Sequence, residues 1–185
     1  QITVTEAGSD EHLLFNRWQL TSSTPLVHPS DNWETSKSFT FTMPEGNVTL
    51  TADYKQLYDL TVTGGTIVDK NDPGKTSGIY LPGTEITVAF TGSTGIEDQF
   101  EKWTLSGTKP TDLPDGWQNS PKFTFTMPAG NVRLEAEYKT VYNVSVDDGK
   151  GTILVNGVAG NRALAGDQIT VTEAGSDEHL LFNRW

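Results

Sequence analysis

Apolar and polar side chains alternate in twos along much of this chain. In FTFTMP (123–128), Phe123, Phe125 and Met127 fall on one side, and Thr124 and Thr126 on the other. After the turn Pro128-Ala129-Gly130-Asn131, Val132, Leu134, Ala136 and Tyr138 alternate with Arg133, Glu135 and Glu137. Side chains of a strand point to opposite faces with period two, so this block predicts two half-buried strands joined by a short turn, as a hairpin. Leu60-Thr61-Val62 and Ile86-Thr87-Val88-Ala89-Phe90 read as further strands. Gly, Pro, Asn and Asp interrupt the pattern roughly every 8–12 residues, the spacing of turns in an all-β protein. Only SDEHLLF (9–15) and GIEDQF (95–100) have the make-up of a helical turn. The expected fold class is all-β, with little or no helix.

The pattern repeats. Trp33 to Lys55 and Trp117 to Lys139 are identical at 15 of 23 positions, at a spacing of 84. Ile2-Thr3-Val4 matches Ile86-Thr87-Val88, and FNRW (15–18) matches FEKW (100–103). LYDLTV (57–62) matches VYNVSV (141–146), and LPGTEITV (81–88) matches LAGDQITV (164–171). The last eighteen residues, 168–185, are identical to residues 1–18. These matches cut the chain into a whole unit at 57–140, the later part of a unit at 1–56 without its opening strand, and the first part of a unit at 141–185 without its closing hairpin. The two kinds of unit together give a longer period of 167, the offset between Gln1 and Gln168. A tandem array as parent, recently duplicated or copied by design, is expected from such identity. No initiator Met or signal-peptide pattern opens the chain, which points to a mature product, an excerpt or a designed chain. Units of this size bury a modest core and gain from stacking on neighbours. A partial unit leaves an open sheet edge. The first and last segments are complementary, so the end of one copy can complete the start of the next, head to tail.

The ordered set LPGTEITV or LAGDQITV, then FEKW, then FTFTMPAGNVRLEAEY resembles the divergent internalin B-repeat group, also called Listeria–Bacteroides repeats. Its pattern is a Gly before a polar strand, a Phe-x-x-Trp, and a Phe-Thr-Met-Pro segment followed by hydrophobic alternation. The resemblance implies small β-grasp-like modules in tandem on bacterial surface proteins, serving as stalks, spacers or adhesive segments. It brings no catalytic residues. Extra loops at 68–78 and 106–116 make these units long for the group.

Composition changes the picture little. The 24 acids against 13 bases give a net charge of −11, spread rather than blocked. Such a surface favours solubility and repels phosphate backbones, so nucleic acid is not an expected partner. No apolar run approaches the ~20 residues of a membrane-spanning helix, so membrane insertion is not expected. The absence of cysteine excludes disulfides and thiolate metal sites.

Candidate chemistry is sparse. Trp18, Trp103 and Trp185 share one repeat position, where an aromatic ring fills a core. Trp33 and Trp117 share another, in a loop, where the ring either packs or stacks on a sugar. Phe39, Phe41, Met43, Phe123, Phe125 and Met127, with Trp18 and Trp103, are the expected core and junction residues. LPGT (81–84) looks like a sorting signal, but it lacks the tail such a signal needs and reads as a turn. Asp69, Asn71 and Asp72, or Asp147 and Asp148, are candidates for irregular calcium binding. An EF-hand is excluded by Pro73 and Tyr80 at its fifth and twelfth positions. His12, its copy His179 and His28 form no pair at zinc-ligand spacing. No nucleophile-and-base or phosphate-cradling motif is present. Lys55 and Lys139 are open to an isopeptide crosslink. The expectation is a non-enzymatic extracellular segment on a bacterial cell surface, without cofactor or metal. It serves as stalk, spacer or fibre unit, with copies of itself or neighbouring repeats as partners. The alternative is an adhesin module that binds a glycan or host protein through Trp33 and Trp117.

Overall fold

A computed structural model describes residues 1–24, 31–69, 71–92, 98–146 and 151–173. The middle repeat contains seven strands: β5 (Tyr58–Thr63), β6 (Gly65–Ile67), β7 (Ser77–Tyr80), β8 (Glu85–Phe90), β9 (Gln99–Gly107), β10 (Lys122–Thr126) and β11 (Val132–Lys139). They form a three-stranded sheet in the order β10-β8-β6 and a four-stranded sheet in the order β7-β5-β11-β9. The β5–β11 pairing is parallel and the others are antiparallel. Ile67, Ile86, Val88, Phe123 and Phe125 of the first sheet meet Leu60, Val62, Trp103, Val132, Leu134 and Ala136 of the second in one core. The chain passes between the layers at Gly64-Gly65. Gly64 has φ +71, and a Cβ on Gly65 would stand 2.5 Å from the Ala89 carbonyl oxygen and from the Trp103 ring. Only glycine admits both this backbone and this approach.

The expected FTFTMP hairpin does not form. β10 pairs with β8 and β11 with β5 and β9, so the two strands lie in different sheets. A hairpin would set both apolar rows on the same face of one sheet. Here the rows face each other across the core, and 128–131 arches between layers. Period two marks which residues are buried, and it does not say which strand lies alongside.

The helical turns also fall elsewhere. Short 3₁₀ turns occupy Trp33–Thr35 and Trp117–Asn119, each after a left-handed residue, Asn32 or Gly116. Around residues 9–15, the Asp10 carboxylate accepts the N–H groups of His12 (2.7 Å) and Leu13 (2.8 Å), and the chain enters a strand at Leu13. In the second stretch, 95–97 lie outside the described residues and a strand begins at Gln99.

The first repeat holds β1 (Ile2–Thr5), β2 (Leu13–Ser22), β3 (Ser38–Phe41) and β4 (Val48–Gln56), paired as β1-β3 and β2-β4. The last holds β12 (Val141–Asn143), β13 (Gly151–Val155), β14 (Val158–Ala159), β15 (Arg162–Leu164) and β16 (Ile169–Glu173), paired as β12-β15 and β14-β13-β16. β13 and β14 are joined at Asn156-Gly157, both with positive φ, as a tight two-residue hairpin requires.

Candidate functional site

The aromatic positions build one motif twice. Trp103 is fully buried, and its Nε1–H donates to the Ser120 carbonyl at 3.0 Å. Trp18 does the same to the Ser36 carbonyl at 2.9 Å. Phe123 stands edge-on to Trp103, and Phe39 edge-on to Trp18. Trp117 packs on Phe123 with ring centres 5.4 Å apart, and Trp33 on Phe39 at 5.2 Å. Trp33 is therefore a buried core residue, while Trp117 is half-buried. Phe39, Phe41, Phe123, Phe125 and Met127 are buried with them. Trp185 lies outside the described residues.

Met43 behaves differently from Met127. It is 46% exposed, against 1% for its repeat partner. In the middle repeat the LPGT turn folds over this end of β10, with the Gly83 N–H donating to the Met127 carbonyl and the Met127 N–H to the Thr84 carbonyl. Nothing equivalent reaches Met43 among the described residues. The same contrast runs through both edges of the first repeat. Ile2 is 39% exposed, where Ile86 is 3%. Val4, Val48 and Leu50 are half-buried, where Val88, Val132 and Leu134 are buried. The cause is visible in the strand order. Among the described residues, β8 is flanked by β10 and β6, but β1 has only β3. Among the same residues, β11 is flanked by β9 and β5, but β4 has only β2.

The last repeat holds the counterparts of the strands that fill those places. β12 corresponds to β5 and β13 to β6, with the Gly-Thr-Ile of 65–67 recurring at 151–153. Val171 of β16 is exposed, where Val88 of β8, opposite Phe123, is buried. β12 is three residues long against six for β5, and among the described residues β5 has the parallel partner that β12 lacks. The site is thus a pair of matching sheet edges.

The charged groups organise loops. Asp112 accepts the Thr126 N–H with both carboxylate oxygens, at 3.0 and 3.1 Å, and hydrogen bonding from the Thr126 side chain first, then from this N–H, holds its pKa below the ordinary value of 3.8. Bonds from the Asn156 side chain and the Leu164 N–H depress Asp167 in the same way. Glu101 beside Lys139 (2.7 Å) raises that ammonium on an exposed strand end. At the junction of the first two repeats, the Leu57 N–H donates to the His12 carbonyl, and His12 Nε2 lies 3.2 Å from both carboxylate oxygens of Asp59. His28, His179, Asp147 and Asp148 lie outside the described residues. Asp69 accepts the Asn71 N–H and faces Lys75 at 3.6 Å. Among the described residues no three His, Asp or Glu side chains gather as a metal site. The LPGT segment is a turn with Gly83 at φ +87, and Gly166 repeats it at φ +94.

Two-sheet β modules in tandem, with a shared aromatic core motif, define the class as a β-repeat protein. A profile of the divergent InlB B-repeat domain matches residues 1–57 and 58–141, and the chain belongs to that family. The family is of the bacterial surface-repeat type. No curated protein and no solved structure matches the chain. No helix among the described residues is long and apolar enough to cross a membrane.

Proposed function

We propose that this chain is an architectural segment of an extracellular bacterial surface protein, a stalk or fibre unit whose repeats join by completing each other's sheets. It carries no catalytic centre, needs no cofactor, and has copies of itself or neighbouring repeats as partners. The supporting observation is the exposure of Ile2 and Met43 at positions where the middle repeat buries Ile86 and Met127. In the joint, the segment from Val144 to Val146 lies parallel to β4. Val144, Ser145 and Val146 sit beside Val48, Thr49 and Leu50, as Leu60, Thr61 and Val62 sit beside Val132, Arg133 and Leu134. A sheet edge offers unpaired N–H and C=O groups, and an added strand satisfies them while burying its alternate side chains.

The test is solution mass by light scattering across a dilution series, with electron microscopy of the same samples. Filaments that grow with concentration are expected. A monomer at every concentration would overturn the fibre and leave a spacer within a longer array. An adhesin role is the second possibility, because the half-buried Trp117 presents part of its ring. Saturable binding on a glycan array, lost in Trp117→Ala with the fold intact, would establish it. No binding on such an array would remove it.

A further inference from the structure

Resting on the head-to-tail joint above, we propose that the joint forms by strand replacement: β1 of one copy displaces the identical β16 of another from β13. The five residues Ile169–Glu173 of β16 recur unchanged as residues 2–6. β16 now occupies β13 in the register Val155↔Ile169, Leu154↔Thr170, Ile153↔Val171, Thr152↔Thr172, Gly151↔Glu173. β1 carries the same side chains and can take the same ladder, with Val4 opposite Ile153.

The middle repeat shows the finished arrangement. There Val88 stands between Phe123 of β10 and Ile67 of β6. In the first repeat Val4 already faces Phe39, in the register of Val88 and Phe123. In the last repeat Val171 already faces Ile153, in the register of Val88 and Ile67. One middle strand is present twice, and among the described residues β13 has one place for it, because β14 pairs with Leu154 and Val155 on the other edge.

The direction of the exchange follows from connectivity. β1 runs into β2, whose ladder with β4 spans residues 13–22 and 48–56. A β1 that enters the joint brings this whole sheet, and with it the open edge of β4 that receives 144–146. A retained β16 brings no such edge among the described residues. Trading β16 for β1 exchanges one ladder for an identical one, so the replacement itself is near neutral. The gain lies in the new parallel pairing and the burial of Ile2, Val48, Leu50 and Val144. β16 is thus a resident strand that keeps β13 paired until a second copy arrives.

The test locks the resident strand. Val155 and Ile169 form the facing pair next to the Asn156 N–H bond to the Gln168 carbonyl. They are a non-hydrogen-bonded pair, whose close Cα atoms suit a disulfide. The full-length chain with Val155→Cys and Ile169→Cys, otherwise free of cysteine, is compared oxidised and reduced by light scattering. Strand replacement requires the oxidised form to stay monomeric, with at least a tenfold loss of assembled mass at a concentration where the reduced form assembles. Equal assembly of the two forms would overturn replacement while leaving head-to-tail joining intact. A reduced form and parent chain that both stay monomeric would overturn joining and replacement together. As a second probe, Val144→Asp, at the place of the fully buried Leu60, is expected to abolish assembly with β16 unlocked, and its unchanged assembly would also defeat the joint.

Discussion

Met43 and Met127 sit in the same FTFTMP phrase, yet one is nearly half exposed and the other almost wholly buried. Truncation should expose this difference. Met127→Ala is expected to cost about 2–5 kcal/mol, the range for a large-to-small change in a packed core, and Met43→Ala within about 0.5 kcal/mol. Urea denaturation of the two variants checks it, and equal losses would contradict the asymmetry. Titration supplies a second expectation. Asp112 and Asp167 both have folded-state pKa values held below 3.8. A depressed carboxylate contributes stability that is present above its unfolded pKa and is lost as pH falls through the folded one. Thermal stability should therefore be flat in these groups at neutral pH and fall as the solution is acidified below about pH 4, near the ordinary Asp pKa. Asp112→Asn should flatten part of that fall, and an unaltered acid profile would remove Asp112 from the account.

At the scale of the element, β4 and β11 share most of their sequence and differ in their neighbours. Among the described residues, β11 lies between two strands and β4 has one. In dilute solution, amides of β11 are expected to exchange with solvent far more slowly than those of β4, because opening β11 breaks two ladders and uncovers Leu134. Hydrogen exchange read by mass spectrometry checks this. In concentrated solution the β4 amides should gain protection, while those of β11 should not change. The turns are equally local in origin. Gly83 and Gly166 follow the same Leu-x-Gly pattern, and each takes the left-handed conformation before a strand. The 3₁₀ turns at Trp33 and Trp117 had no periodic signal, since three residues are too few to show one.

Among the described residues, the middle repeat holds one closed core, the first repeat a smaller cluster, and the last repeat the single buried Ala163. Calorimetry of dilute protein is expected to show a broad low-temperature change from the outer repeats and a separate cooperative transition from 57–140. A single transition for the whole chain would mean that the repeats unfold as one unit. The net charge of −11 makes copies repel. Screening shortens the reach of that repulsion to about 8 Å at 0.15 M salt, so assembly should begin at lower protein concentration there than at about 0.01 M. Light scattering at the two salt concentrations checks the direction.

The sequence by itself determined the all-β class and, in the middle repeat, the rows that are buried. Alternation with period two at Phe123, Phe125, Val132 and Leu134 marks which side chains leave water. Internal repetition shows that the same phrase recurs, wherever the chain lies in space. It could not determine partnership. The same alternation suits a hairpin or two strands in facing sheets, and only the tertiary structure put β10 and β11 in different layers. The burial of Trp33 was likewise undecided in sequence, because a loop aromatic packs or stands free according to whether a ring such as Phe39 lies beneath it. The exposure of Met43 and Ile2 has the same cause. A residue's letter sets its preference for the core, but whether a core exists there depends on the strand alongside, and that is a property of the assembled sheets.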